Sequence, residues 1–240
     1  MSSDQRLIVA LDVNTMVKVQ ELVKSLGDSV NYYKVGMELF YSVGSQVITY
    51  LRAQGKYVFL DLKLHDIPNT VGHSLAALTG LGGISMLNVH ASGGPAMMAA
   101  AGQAVKNKAD AMGIERPKLI AVTVLTSINS VEWSALGYNL DLSNQVVHLA
   151  RLAQCSGLDG VVASPQEAAQ IRTACGDGFI IVTPGIRPSG AAINDQSRIA
   201  TPASALKNGA HHLVIGRPIT AAENPRQAVE VILQEMRDIN

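Results

Sequence analysis

The sequence has 240 residues, of which 48% are hydrophobic and 16% are charged. This length suits one α/β domain of roughly 250 residues, and the apolar content is enough to fill its core. Nineteen basic residues balance nineteen acidic ones, so neither a nucleic acid nor an anionic membrane is indicated as a partner. We therefore predict a single domain, residues 1–240, that binds a small molecule.

Targeting and redox signals are weak in this chain. The apolar stretch before Asp12 is too short for a signal peptide or a membrane span. Cys155 and Cys175 have neither metal-site nor redox-motif spacing. These features predict a cytoplasmic protein.

Short runs rich in Val, Ile and Leu alternate along the chain with segments able to form helices, a pattern typical of βαβ units and a parallel sheet. The predicted strands are residues 7–12, 31–36, 57–63, 85–90, 119–123, 160–163, 179–183 and 212–216. Eight strand–helix repeats predict an α/β fold closed as a single (β/α)8 TIM barrel. A doubly wound open sheet is the alternative, but it would require a glycine-rich phosphate loop after the first strand, which residues 11–14 lack.

Three helix starts carry recognisable capping chemistry. Ser164 is a predicted N-cap with Pro165 at the first helical position and Glu167 at the third. Residues 201–202 and 224–225 combine a polar capping residue with proline in the same way. We expect a helix to begin at each of these points.

Charged residues collect at the predicted carboxyl ends of the first four strands, where a TIM barrel places its active site. They are Asp12, Lys34, Asp61, Lys63, Asp66 and His90. Because Asp61 and Lys63 are two positions apart on a strand, they share a face and lie roughly 6.6 Å apart along the backbone. Burying such charges costs several kcal/mol per ion unless they compensate one another, so the set indicates a functional site.

The segment DLKLHDIPNT, residues 61–70, resembles the signature of the orotidine 5'-phosphate decarboxylase family. Further similar segments follow in family order at residues 11–12, 33–36, 89–91, 124–127, 183–188, 195–196 and 215–218. The Asp-x-Lys-x-x-Asp core is shared with sugar-phosphate enzymes such as 3-keto-gulonate-6-phosphate decarboxylase and hexulose-6-phosphate synthase. Those relatives carry glutamate in the second-strand region. A lysine in this region, here Lys34, is similar to what the orotidylate enzymes have.

The resemblance implies a carboxy-lyase that converts orotidine 5'-monophosphate to uridine 5'-monophosphate and carbon dioxide without a cofactor, the last step of de novo UMP synthesis. It implies a charge network of Lys34, Asp61, Lys63 and Asp66, in which the partner of a homodimer supplies Asp66. Decarboxylation leaves a carbanion at C6 with no carbonyl beside it to accept the charge. Neighbouring carboxylates favour the ammonium form of a lysine. We therefore expect Lys63 to protonate C6.

The same resemblance assigns residues to the rest of the nucleotide. Asp12 and the partner's Thr70 are expected to bind the ribose hydroxyls, and Thr126 the edge of the pyrimidine. The trio of residues 216–218 indicates the phosphate site independently of the resemblance. Gly216 permits a close backbone approach, Arg217 can bind oxygens in a fork, and the following proline can open a short helix.

The segment of residues 184–198 follows the seventh strand and is rich in Gly, Pro, Ser and Ala. Loops seven and eight of a TIM barrel are the usual phosphate site, so this segment is a predicted lid over the phosphate. Pro184, Arg187 and Gln196 are its candidate substrate-binding residues. A plain surface loop is the other interpretation.

Metal binding is not predicted, because the sequence has no HxH, HExxH or CxxC motif and lysines among the carboxylates would repel a divalent cation. His90 stays open between a substrate contact and a packed residue. His65, His73, His148, His211 and His212 are interpreted as structural. Two other functions remain: a magnesium-dependent sugar-phosphate decarboxylase or aldolase, and a silent phosphate-binding barrel. The completely filled motif disfavours the silent barrel.

Overall fold

The computed structural model describes residues 3–188 and 200–237. Eight parallel strands form a closed barrel in chain order, and β8 pairs with β1 to complete it. The strands are β1 Leu7–Ala10, β2 Tyr32–Gly36, β3 Tyr57–Leu64, β4 Met86–His90, β5 Lys118–Val122, β6 Gly160–Val162, β7 Ile180–Thr183 and β8 His212–Ile215. The predicted (β/α)8 TIM barrel is confirmed.

Helices cover the outside of the strands in the described part of the chain. They are α1 Met16–Leu26, α2 Met37–Val43, α3 Gln46–Ala53, α4 Pro68–Gly80, α5 Gly94–Met112, α6 Ser130–Ala135, α7 Leu142–Cys155, α8 Ala168–Cys175, α9 Pro202–Lys207, α10 Arg217–Thr220 and α11 Pro225–Arg237. Two short 3-10 helices, Gly27–Ser29 and Ala91–Gly93, follow α1 and β4. No helix in residues 3–188 or 200–237 has the length and apolar character needed to cross a membrane.

Two of the three predicted helix starts are confirmed. The Thr201 side chain accepts a hydrogen bond from Ser204 N at 3.2 Å, and the Asn224 side chain accepts one from Gln227 N at 3.1 Å. The helix predicted at Ser164 is wrong, because α8 begins at Ala168. Ser164 Oγ instead accepts from the N–H two residues ahead, at 3.2 Å, and closes a local turn. Such serine turns compete with helix formation.

The barrel interior is packed with side chains rather than open. One apolar cluster occupies alternate strand positions and consists of Ile8, Ala10, Tyr32, Phe59, Met86, Ile120, Val182 and Val214. A second, larger cluster lies between the strands and the helices. Because side chains alternate along a strand, the face that carries Tyr32 and Phe59 also carries Lys34 and Asp61 two residues later. The alternation of side chains along β2 and β3 therefore places these charges at the carboxyl end of the barrel interior.

Candidate active site

Lysines and carboxylates alternate at the carboxyl end of the barrel. Lys34 Nζ lies 3.0 Å from Asp12 Oδ1 and 3.6 Å from Asp61 Oδ2, and Lys63 Nζ lies 2.7 Å from Asp61 Oδ1. The side chains of Lys34 and Asp61 are 12% and 11% exposed, so these two charges are largely removed from water. The structure thus brings together four of the residues predicted from the sequence.

The end of β3 is irregular at the point where Lys63 lies. β3 pairs with β4 at Leu60–Leu87 and again at Leu64–Val89, with a register shift between the two pairs. Lys63 has a φ of 53°, and no other non-glycine residue in the described part of the chain has a positive φ. The expected shared face of Asp61 and Lys63 is present, but a regular strand does not produce it.

Asn88, on β4, is a site residue that sequence reasoning missed. Its side chain contacts both Asp61 and Lys63, and the residue is 1% exposed. A polar residue in the apolar strand MLNVH, on the same face as His90, was a signal that could have identified it. The site is therefore held by polar residues from β2, β3 and β4.

The buried Asp61 carboxyl is held in its ionised form. Burial alone raises its pKa, but the positive charges of Lys34 and Lys63 and the hydrogen bonds from Lys63 and Asn88 outweigh that effect. The resulting pKa lies below the usual value of 3.8. The site consequently carries a fixed negative charge between two lysines at neutral pH.

Glycines leave the space that these side chains fill. A Cβ on Gly36 would lie 2.8 Å from Lys34 Nζ, and a Cβ on Gly216 would lie 3.0 Å from Asp12 Oδ2. Both distances are shorter than ordinary van der Waals contact. A side chain at the end of β2 or just after β8 would therefore displace Lys34 Nζ or the Asp12 carboxylate from its present position.

A cavity of about 190 Å³ opens over this cluster. Thr126 and Pro184, both predicted substrate ligands, contribute to its wall. The complete lining is Lys34, Phe59, Asp61, Lys63, Val122, Val124, Leu125, Thr126, Val162, Pro184 and Val214. Apolar walls around a few converging charges are the usual composition of a small-molecule site.

The described members of the predicted phosphate site follow the carboxyl ends of β7 and β8. Gly216 directly precedes α10, Arg217 is its first residue and Pro218 lies in its first turn, as the sequence predicted. Arg217 is exposed, whereas Arg187 is 7% exposed and donates from Nη1 to Ile186 O at 2.9 Å. Gln196 and most of the predicted lid lie outside the described residues.

Within this chain, neither Asp66 nor Thr70 forms a hydrogen bond or ion pair with Lys34, Asp61 or Lys63. Residues 65–70 are all exposed, including Ile67 at 65%. The Asp66 carboxylate accepts the N–H of Ile67 at 2.6 Å, and it forms no ion pair with any residue that the structure describes. A single chain therefore does not bring Asp66 to Lys63.

Two pairs of histidines lie at opposite ends of the barrel. The rings of His65 and His90 lie 5.6 Å apart at the carboxyl end. Burial lowers the pKa of His90, and the nearby His65 and Lys63 lower it further against the opposing effect of Asp61. His211 Nδ1 lies 2.8 Å from Arg172 Nη2 at the amino end of β8. Within residues 3–188 and 200–237, no three His, Cys, Asp or Glu side chains are grouped to hold a metal ion.

The protein is a closed (β/α)8 barrel with a buried lysine–carboxylate cluster at the carboxyl ends of its strands. TIM-barrel enzymes carry their active sites at this end. The chain belongs to the Orotidine 5'-phosphate decarboxylase / HUMPS family, whose model matches residues 5–232. The family predicted from the motifs, and with it the enzyme class of carboxy-lyase, is confirmed.

Individual relatives match almost the whole chain. It is 48% identical to an orotidine 5'-phosphate decarboxylase of Trichlorobacter lovleyi, over 96% of this chain and 95% of that one. It is 47% identical to a protein of the same name from Moorella thermoacetica, over 98% and 94% of the two chains. The crystal structure of orotidine 5'-phosphate decarboxylase from Lactobacillus acidophilus superposes with a TM-score of 0.85 at 43% identity, covering 97% of this chain and 99% of that one.

Proposed function

We propose that this chain decarboxylates orotidine 5'-monophosphate to uridine 5'-monophosphate and carbon dioxide in pyrimidine synthesis, without a cofactor. The observation that carries the proposal is the Lys63 ammonium, 2.7 Å from the buried Asp61 carboxylate at the wall of the cavity. Relatives of this name that match nearly the full length support the choice of substrate.

The proposed reaction needs a proton donor for C6 and fixed charges that stabilise the transition state. The bond between C6 and the carboxylate carbon breaks, carbon dioxide leaves, and the electron pair stays on C6. Lys63 Nζ donates a proton to that pair and recovers one from solvent. Charges fixed before the reaction need no reorganisation in the transition state, and this is the usual source of large electrostatic catalysis. Asp61 lies beside the departing carboxylate in this scheme, and Lys34 balances it.

The rest of the nucleotide is assigned to the rim of the cavity. Asp12 accepts hydrogen bonds from the ribose hydroxyls, and Thr126 contacts the pyrimidine edge. Gly216 and Arg217 bind the phosphate. Pro184, Arg187 and Gln196 belong to the segment that covers it. Thr126 and Pro184 already line the cavity, which supports their part of this assignment.

We propose further that the protein works in the cytoplasm as one catalytic domain, residues 1–240, in a homodimer with shared active sites. The exposure of Asp66, Ile67 and Thr70 supports the dimer, because apolar and motif side chains on one exposed segment suit a surface that a second copy covers. In this arrangement Asp66 and Thr70 complete the partner's site, so that Asp66 becomes the fourth member of the charge network.

The alternative, a magnesium-dependent sugar-phosphate decarboxylase or aldolase, has one observation in its favour. The family description includes HUMPS proteins as well as orotidine 5'-phosphate decarboxylases. Lys34 opposes it, since its ammonium group lies between Asp12 and Asp61 and would repel a divalent cation bound by those carboxylates. Sensitivity to a chelator separates the two functions.

The proposal is tested by an ultraviolet assay of the purified protein with orotidine 5'-monophosphate in the presence of EDTA. We expect loss of the orotate chromophore and formation of uridine 5'-monophosphate at the same rate with and without the chelator. Orotidine, which lacks the phosphate, is the control substrate and is expected to react far more slowly. No change in absorbance would refute the proposed activity, and activity that EDTA abolishes would favour the magnesium enzyme.

A further inference from the structure

Asn88 connects the two residues on which the proposed proton transfer depends. Its Nδ2 donates to Asp61 Oδ1 at 2.7 Å, and its Oδ1 accepts the backbone N–H of Lys63 at 2.8 Å. Only one orientation of an amide can serve both partners, because its nitrogen donates and its oxygen accepts. At 1% exposure, Asn88 makes both hydrogen bonds where water has no access to replace them.

The backbone at Lys63 depends on this side chain because the strand ladder is interrupted there. Between the pairs 60–87 and 64–89, β3 advances by four residues (64 − 60) while β4 advances by two (89 − 87). The extra residues on β3 have no ladder partner on β4. The Lys63 N–H is bonded instead to the Asn88 side chain, and Lys63 takes the left-handed φ of 53°.

We infer that Asn88 is a positioning residue that fixes the Lys63 backbone and the Asp61 carboxylate together, and so sets the contact between Lys63 Nζ and Asp61. The inference rests on the proposed function for the role of Lys63 as the acid. Asn88 acts through Asp61 and Lys63 and is not among the residues that line the cavity. Its hydrogen bond is also one of the causes that keep the Asp61 pKa low.

Two substitutions separate the two ends of the amide. Asn88→Asp keeps the size and an oxygen for the Lys63 N–H, but it places a second carboxylate against Asp61. Two carboxylates at this distance share a proton, which raises one pKa strongly. We expect the acid limb of the pH profile of kcat to move to higher pH.

Asn88→Leu removes both hydrogen bonds. We expect kcat to fall about 10²-fold with little change in KM, as for a misplaced catalytic group.

Asn31→Asp is the matched control. Asn31 is also an asparagine with two partners, Ser3 and Lys56, but it lies just before β2, at the amino end of the barrel. The same change of amide to carboxylate there is expected to leave the acid limb and kcat at their wild-type values. A shift of the acid limb in Asn31→Asp equal to that in Asn88→Asp would overturn the inference.

A readout without turnover makes the test independent of the proposed function. In protein labelled with ¹³C at aspartate Cγ, the Asp61 resonance is identified by its loss in Asp61→Asn and titrated in wild type and Asn88→Asp. We expect a higher midpoint in the variant, and faster hydrogen exchange of the Lys63 amide in Asn88→Leu. Unchanged titration and exchange would overturn the inference. If the titration moves and the wild type leaves orotidine 5'-monophosphate intact, only the proposed function fails.

Discussion

Gly36 shows how closely the charged groups are packed at the scale of single residues. A Cβ at this position would lie 2.8 Å from Lys34 Nζ, which is the free end of a flexible chain. In Gly36→Ala we therefore expect Lys34 to move away from Asp12 and Asp61 while the barrel stays folded. The expected loss of kcat/KM is on the order of tenfold or more, since a displacement of ~1 Å can cost up to ~10²-fold.

Gly102→Ala is the control for that substitution. A Cβ on Gly102, inside α5, would meet no atom within 4 Å. We expect its free energy of unfolding to rise by about 0.8–1.0 kcal/mol, because alanine is the better helix former, and its activity to be unchanged. Thermal unfolding and steady-state kinetics measure both effects. Wild-type kcat/KM in Gly36→Ala would show that the position of Lys34 is unimportant.

The lowered pKa of Asp61 makes a prediction about acid stability. Because the folded pKa lies below 3.8, the stabilisation from its ionised form is fully present above the unfolded value and is lost as the pH falls through the folded value. The free energy of unfolding of wild type minus that of Asp61→Asn is therefore expected to stay constant above about pH 5 and to decrease below it. Urea unfolding at a series of pH values measures the difference. A difference that grew as the pH fell would contradict the assigned direction.

At the scale of elements, the sequence predicts the strands better than their irregularities. Every predicted strand is present, with ends that differ by no more than two residues, because runs of Val, Ile and Leu identify buried strands directly. The register shift at the end of β3 was not predicted, since the periodicity of residues 57–63 continues through it. The left-handed Lys63 costs about 1–2 kcal/mol in local strain, and only tertiary contacts, such as that of Asn88, can offset it.

At Ser164 the sequence predicts a helix start that the structure does not have. Ser-Pro-x-Glu is a strong local signal for a helix start, yet α8 begins at Ala168. Glu167 is 3% exposed, so its side chain is buried rather than available to cap the helix from the surface. Thr201 and Asn224 carry the same kind of signal, and there the side chain does cap the helix. Local propensity therefore decides a helix start only where tertiary burial leaves it free.

At the scale of the whole molecule, the charged motif predicts the site because strand ends converge in a closed barrel. Asp12, Lys34, Asp61 and Lys63 lie at the carboxyl ends of β1, β2 and β3, and the parallel pairing of these neighbouring strands brings them together. Asp66 and Thr70 are different, since their proposed roles depend on a second chain.

The proposed shared site predicts complementation between two inactive variants. Lys63→Ala and Asp66→Asn homodimers should each be nearly inactive. In a mixed dimer, one pocket combines both lesions, whereas the other takes an intact Lys63 from one chain and an intact Asp66 from the other. Random exchange makes half of the dimers mixed, so roughly a quarter of all pockets should recover. If subunits exchange and no activity returns, Asp66 acts within its own chain.

The most direct test of the central claim is the kcat of Lys63→Ala with orotidine 5'-monophosphate. Lys118→Ala is the matched control, since Lys118 is an exposed lysine at the amino end of β5. We predict that Lys63→Ala remains folded and still binds uridine 5'-monophosphate. Its kcat is expected to fall by ~10²-fold or more, since a positioned general acid contributes ~10²–10⁴-fold. Lys118→Ala is expected to keep full activity. A kcat for Lys63→Ala within about tenfold of wild type, below that range, would contradict Lys63 as the proton donor.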